Sequence, residues 1–159
     1  MNLPKQYFRA GAGAVIVNDQ GLVLVLERIN IPHAWQLPQG GIEKMEEPIE
    51  TIFREVTEET GIDRSSLEFL DSYPEPLVYE LPIDARSEKT GRGQVQYWFL
   101  FKFNGSDDSI NVKDGGEFQA WQWMPFQQLL SSAVDFRKSL YQKLANRFKP
   151  YLSDSGVTN

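Results

Sequence analysis

Apolar and polar positions alternate along this chain with two periods, one of about two residues and one of about four. Gly11–Val17 (GAGAVIV) and Leu22–Leu26 (LVLVL) are short apolar runs rich in β-branched side chains, and Asn18-Asp19-Gln20-Gly21 between them is turn chemistry. That spacing predicts a β-hairpin. Further strands are predicted over Leu67–Tyr73, Leu77–Leu81, Val95–Phe103 and Phe118–Met124. The run QVQYWFLFKF carries the strongest strand signal, being aromatic, β-branched and free of Gly and Pro, and NGSDDS after it reads as a turn.

Two segments carry the helical period. Pro48 suits a first helical position after the acids Glu46 and Glu47, and Gly61 supplies a stop. Between them Ile49, Ile52, Phe53 and Val56 recur at i, i+3, i+4 and i+7, which makes one apolar stripe. The second helix is predicted over Asp135–Phe148, where Phe136, Leu140, Leu144 and Phe148 recur every four residues, with Pro150 as its end. The tail YLSDSGVTN, residues 151–159, is expected to be disordered. With no internal repeat and no linker, residues 1–150 read as one α+β domain.

The first helix poses a chemical question. On a wheel of 100° per residue, Glu55, Glu58 and Glu59 fall within an arc of about 100°, away from the centre of the apolar stripe. Neighbours at this spacing bring their β-carbons roughly 5–6 Å apart, so three carboxylates crowd together with no lysine on the same face. A solvated helix face is the ordinary reading of such a run. The other reading is a hard divalent cation, Mg²⁺ or Mn²⁺, whose charge relieves the repulsion. Gly40-Gly41 before the helix lets the backbone turn tightly and approach a ligand, although a double glycine also makes a plain turn.

Composition narrows the classes. The 159 residues are 41% hydrophobic and 13% aromatic, enough to bury a core. No apolar run approaches the ~20 residues of a membrane span, and the N-terminus lacks a secretory layout, so a cytoplasmic protein without a membrane partner is expected. The chain has no cysteine, which excludes disulfides, thiolate metal sites and thiol nucleophiles. The formal charge of −6 leans against a long nucleic-acid partner, while leaving room for a short phosphorylated ligand in a local basic pocket.

Residues 40 to 62 resemble the Nudix signature: Gly, five residues, Glu, seven residues, Arg-Glu, an aliphatic, one residue, Glu-Glu, one residue, Gly, an aliphatic. Here it is filled by Gly40, Glu46, Arg54-Glu55, Val56, Glu58-Glu59 and Gly61-Ile62, with all nine constrained positions and all gaps kept. The resemblance implies a Nudix-type α/β/α sandwich with a mixed sheet and a catalytic loop-helix. It also implies Mg²⁺-dependent hydrolysis of a nucleoside diphosphate linked to another group. Position by position, Glu55, Glu58 and Glu59 would be metal ligands with the Gly40 carbonyl, Glu46 and Arg54 would brace the loop on the helix, and Glu58 is the candidate to take a proton.

The similarity extends from about Tyr7 to Phe148. WQLPQGGI, GQVQYWFLFKF, EFQAWQW and VDFRKSLY resemble the branch holding plant-type asymmetrical diadenosine tetraphosphate hydrolases and bacterial RNA 5′-pyrophosphohydrolases. That resemblance adds Glu117 as a metal ligand, against a solvated loop acid. Phe136 and Arg137 would flank a nucleobase by stacking and cation–π contact, against plain core packing of Phe136. Arg9 and Arg28 are candidate substrate contacts, against surface arginines, although YFRAGAGAV departs from the branch's usual start. Tyr79 would stack or reach a phosphate, against half-buried strand packing. His33, the one histidine, reads as a loop residue. The expected activity is cleavage of diadenosine tetraphosphate to ATP and AMP, placed first on the acidic charge. Removal of pyrophosphate from 5′ ends of RNA is the close alternative, and a non-catalytic nucleotide-binding regulator is the alternative of another class.

Overall fold

The computed structural model describes residues 6–153. The strands in chain order are β1 (Phe8–Val17), β2 (Val23–Arg28), β3 (Trp35–Gln36), β4 (Gln39–Gly41), β5 (Leu67–Ser72), β6 (Leu77–Glu80), β7 (Gly93–Phe103) and β8 (Phe118–Met124). The helices are α1 (Pro48–Thr60), α2 (Phe126–Ser132) and α3 (Asp135–Phe148). All eight strands join one mixed sheet whose main path is β3-β2-β1-β7-β5. β1 and β7 run parallel over ten paired positions, from Phe8 beside Gly93 to Val17 beside Lys102, and the other pairings are antiparallel.

The sheet is covered on both faces, which is why GAGAVIV is apolar throughout rather than alternating. Along β1, Ala12, Ala14 and Ile16 face α1, where they pack with Ile52, Val56 and Phe101. Val15 and Val17 face the other way and pack with Trp98, Leu140, Leu144 and Phe148 beneath α2 and α3. The α/β/α sandwich expected from the resemblance is therefore the observed architecture.

Local chemistry sets the ends of α1. Pro48 opens it, Glu50 accepts the N–H of Glu47 at 2.9 Å, and Gly61 closes it in the left-handed region at φ 73°, donating its N–H to the Thr57 carbonyl. The predicted hairpin turn forms as well, with the Asn18 side chain accepting the N–H of Gln20 and of Leu22.

Other features departed from expectation. β3 and β4 were not foreseen, being two and three residues long and fixed by pairing with distant partners: β3 with Leu26 and Glu27, β4 with Gly11–Gly13. α2 has seven residues, too few for a periodic pattern to stand out. Residues 151–153, expected in a disordered tail, instead lie against the body: Leu152 packs on the α3 side and the Ser153 N–H donates to the Gly21 carbonyl at 2.9 Å. Residues 154–159 of that expectation lie outside the described residues. Among the described residues, no helix is long and apolar enough to cross a membrane.

Candidate functional site

The site forms where the β4 loop meets α1. β4 pairs with the start of β1, so Gly40 sits beside Ala12 and Gly41 beside Gly11. Gly40 also lies directly over the Glu55 carboxylate, where a β-carbon would approach the carboxyl carbon to 2.0 Å. A β-carbon on Gly41 would meet the Arg9 guanidinium at 2.2 Å. Both glycines are thus needed for close approach, as the double glycine suggested.

The loop between β4 and α1 is braced by charge. Arg54 Nε donates to Glu46 Oε2 at 2.6 Å, and its Nη2 donates to Glu46 Oε1 at 2.9 Å and to the Gly41 carbonyl at 3.1 Å. This is a bidentate pair of the stronger kind, formed by the two residues expected to form it. The Arg54 guanidinium holds the Glu46 carboxyl well down, at about 2. Thr51 Oγ1 adds a further donor to Glu46 at 2.8 Å.

Arg54 corrects one part of the sequence reading. Its Nη1 reaches Glu55 at 2.9 Å and Glu58 at 3.2 Å, so the like-charge crowding on α1 is relieved by an arginine four residues before Glu58. As a result the three glutamates do not converge. Glu58 is exposed and turned to Arg54, and among the described residues no three His, Cys, Asp or Glu side chains already meet at one point. Glu55, Glu59 and Glu117 instead line a cavity of about 220 Å³ together with Arg9, Gln39, Gly40 and Gly41.

The three acids of that cavity differ in burial, Glu59 being buried, Glu55 half-buried and Glu117 exposed. Glu59 is 3% exposed, and its carboxylate accepts the Gln39 N–H at 3.3 Å. Burial first, then the negative charges of Glu55 and Glu117, push the Glu59 carboxyl up to about 9. Burial also raises Glu55, against the opposing pull of Arg54. Carboxylates lining one cavity beside a backbone loop are the hard oxygen donors a divalent cation takes, so these residues fit one. Glu117 reaches the cavity because the turn Lys113–Gly115 packs on the end of α1, with Gly115 against the Glu58 carbonyl, and the Ile29 N–H caps the Glu117 carbonyl at 2.9 Å.

The predicted substrate residues divide. Arg9 lines the cavity. Tyr79, Phe136 and Arg137 come together beside it: the Tyr79 and Phe136 rings stack at 5.7 Å and the Arg137 guanidinium lies 5.3 Å from the Phe136 ring. Tyr79 is paired across the sheet with Gln94, which does line the cavity. Arg28 does not line it; it is half-buried at the end of β2, paired across the sheet with Phe118, the residue that follows Glu117. His33 is an exposed loop residue at φ 68° whose N–H donates to Glu27.

Three lining residues were not foreseen: Gln39, Lys89 and Gln94. The signal for Gln94 was present, since a glutamine at alternate positions of an otherwise aromatic strand is out of keeping with a core. Lys89 had no signal, because it arrives from the β6–β7 connection.

Comparisons with known proteins bear on family and fold. The NUDIX domain model matches residues 7–144. An RNA pyrophosphohydrolase of Cereibacter sphaeroides is 36% identical over 151 residues, covering 92% of this chain and 93% of its own. Nudix hydrolase 26, chloroplastic, of Arabidopsis thaliana is 36% identical over 162 residues, covering 96% and 74%. Among solved structures, a C. elegans Ap4A hydrolase binary complex superposes with a TM-score of 0.69 at 24% identity, over 89% of this chain and 98% of that one, a likeness of fold.

Proposed function

From a chain that belongs to the Nudix hydrolase family, and so hydrolyses pyrophosphate bonds, we propose an enzyme that removes pyrophosphate from the 5′-triphosphate end of RNA with Mg²⁺ as cofactor. The observation that carries this choice of substrate is the 36% identity, over 92% of the chain, to a relative named RNA pyrophosphohydrolase. The cavity supports it: about 220 Å³ is below the ~300–1,000 Å³ of sites that enclose a whole small-molecule ligand, and it suits a phosphate chain whose nucleoside lies outside.

The Gly40 carbonyl, Glu55, Glu58, Glu59 and Glu117 would hold the cation, with Mn²⁺ as a substitute, and Glu58 would exchange its pairing with Arg54 for this role. When bound, the cation supplies positive charge for the phosphates and a more acidic water. The chain's own residues do the rest. Arg54 and Glu46 keep the Gly40–Gly41 backbone in place. Arg9 and Lys89 neutralise phosphate oxygens. Tyr79 and Phe136, with Arg137, receive the first base. Water attacks one phosphorus, the bond to the departing pyrophosphate breaks, and Glu58, once released from Arg54, takes the proton. No covalent intermediate is formed.

The acidic charge of −6 favours a second reading, cleavage of diadenosine tetraphosphate to ATP and AMP. Hydrolysis of a 5′-triphosphorylated oligoribonucleotide in ¹⁸O-labelled water tests the first. Released pyrophosphate beside a 5′-monophosphate end, with one labelled oxygen, supports it; unchanged RNA together with ATP and AMP formed from the dinucleotide supports the second.

A further inference from the structure

Gln96 is a buried polar residue that the chemistry above leaves without a use. It is 1% exposed, on the α3 side of β7. Its Nε2 donates to the Oε1 of Gln39 and, at 3.0 Å, to the Oε1 of Gln94. Both partners line the cavity, one from β4 beside Gly40 and one from the start of β7. A primary amide accepts at one end and donates at the other. Tying both Oε1 atoms to Gln96 therefore turns both NH₂ groups away from it. The opposite orientation of all three amides would strand the Gln96 NH₂ on the strand face that already carries the unpartnered, buried N–H of Trp98, leaving two donors unsatisfied there; as it stands, a Gln96 carbonyl oxygen and the Trp98 N–H are unpaired, one acceptor and one donor.

We propose that Gln96 is a positioning residue: through Gln39 and Gln94 it presents two neutral amide donors to the phosphate chain, on the wall that also carries Arg9 and Lys89. This rests on the reading that the cavity takes a 5′-polyphosphate. The choice of amides has a physical reason. Lysines at positions 39 and 94 would pair with Glu55 and Glu59 and compete with the cation, whereas amide NH₂ groups hold phosphate oxygens without bringing charge.

Gln96→Glu tests this with little change of shape. An ionised carboxyl only accepts, and a protonated one, which burial here favours, has a single hydrogen where the amide has two, so at least one neighbouring amide must turn its NH₂ inward and its carbonyl towards the phosphates. Binding of a methylene-bridged, non-hydrolysable nucleoside triphosphate, followed by calorimetry with Mg²⁺, is expected to weaken about tenfold or more. KM rises and kcat changes less, while the affinity for Mn²⁺ alone is kept. Gln94→Met, at a half-buried position, removes one donor and weakens binding in the same direction. Together the two substitutions cost less than their sum, because one acts through the other. Unchanged analogue binding in folded Gln96→Glu, or strict additivity in the double variant, overturns the proposal. If Gln96→Glu does not fold, Gln94→Met and Gln39→Met carry the test, and wild-type binding in both overturns it. A wild-type enzyme that neither binds the analogue nor cleaves RNA or dinucleotide overturns the functional reading itself, before any variant is made.

Discussion

Gly40 and Glu55 are packed so closely that a β-carbon on Gly40 would lie 2.0 Å from the Glu55 carboxyl carbon and 2.3 Å from one of its oxygens. The loop and the helix therefore share one position in which the carboxylate is pinned under the backbone. Gly40→Ala forces either the loop or Glu55 to move. A destabilisation of roughly 1–3 kcal/mol is expected from overpacking. Turnover should fall by more than a hundredfold, because the acid is displaced from the cavity. Denaturant unfolding and steady-state kinetics on the same sample check both parts.

The Glu46–Arg54 pair fixes the loop rather than touching the reacting atoms. Glu46→Gln or Arg54→Lys removes the bidentate geometry, and activity is expected to fall about ten- to a hundredfold. The pair also sets an acid limit. Glu46 is held at about 2 against an ordinary 4.5, so its contribution to stability is present above pH 4.5 and is lost as pH falls towards 2. Urea midpoints measured from pH 6 downwards should drop for the wild type, and the Glu46→Gln protein should show a shallower fall.

Glu59 works in the opposite sense. In the cation-free protein its carboxyl is raised to about 9, so its favourable contribution is full below pH 4.5 and is lost as pH rises towards 9. A cation needs the carboxylate, so affinity for Mn²⁺ should climb with pH across that window, by up to about tenfold per unit. Glu59→Gln should make the cation-free protein more stable than the wild type at pH 8, and should abolish the pH-dependent part of Mn²⁺ binding. Melting curves with and without chelator, together with Mn²⁺ titrations, read this directly.

The Tyr79–Phe136 stack, which packs on the α3-side core, is proposed above to receive a base. Phe136→Ala should raise KM about tenfold with a smaller change in kcat, in line with ~1–3 kcal/mol for stacking one base. Equal losses in kcat and kcat/KM would move Phe136 from base binding to shaping the site.

Much of this was legible in the chain because local rules agreed. Pro48, Gly61 and the stripe of Ile49, Ile52, Phe53 and Val56 define α1, and the aromatic run defines β7. The signature residues Glu46 and Arg54 pair as expected, and Arg54 also holds the Gly41 carbonyl. What was not legible depends on distant pairing. β4 is three residues held by Gly11–Gly13, and the cavity wall is assembled from β1, β4, β7 and a loop that delivers Lys89. The turning aside of Glu58 follows from which carboxylates Arg54 reaches, and wheel geometry does not rank those contacts.

The measurement closest to the central claim compares kcat/KM for a 5′-triphosphorylated short RNA and for diadenosine tetraphosphate, with Mg²⁺ and with a Glu58→Gln control. A higher value on the RNA, pyrophosphate as the released product, and a loss of about a hundredfold or more in the control are expected. A higher value on the dinucleotide would reassign the substrate, and full Mg²⁺-dependent turnover by Glu58→Gln would contradict the metal and proton roles given to that residue.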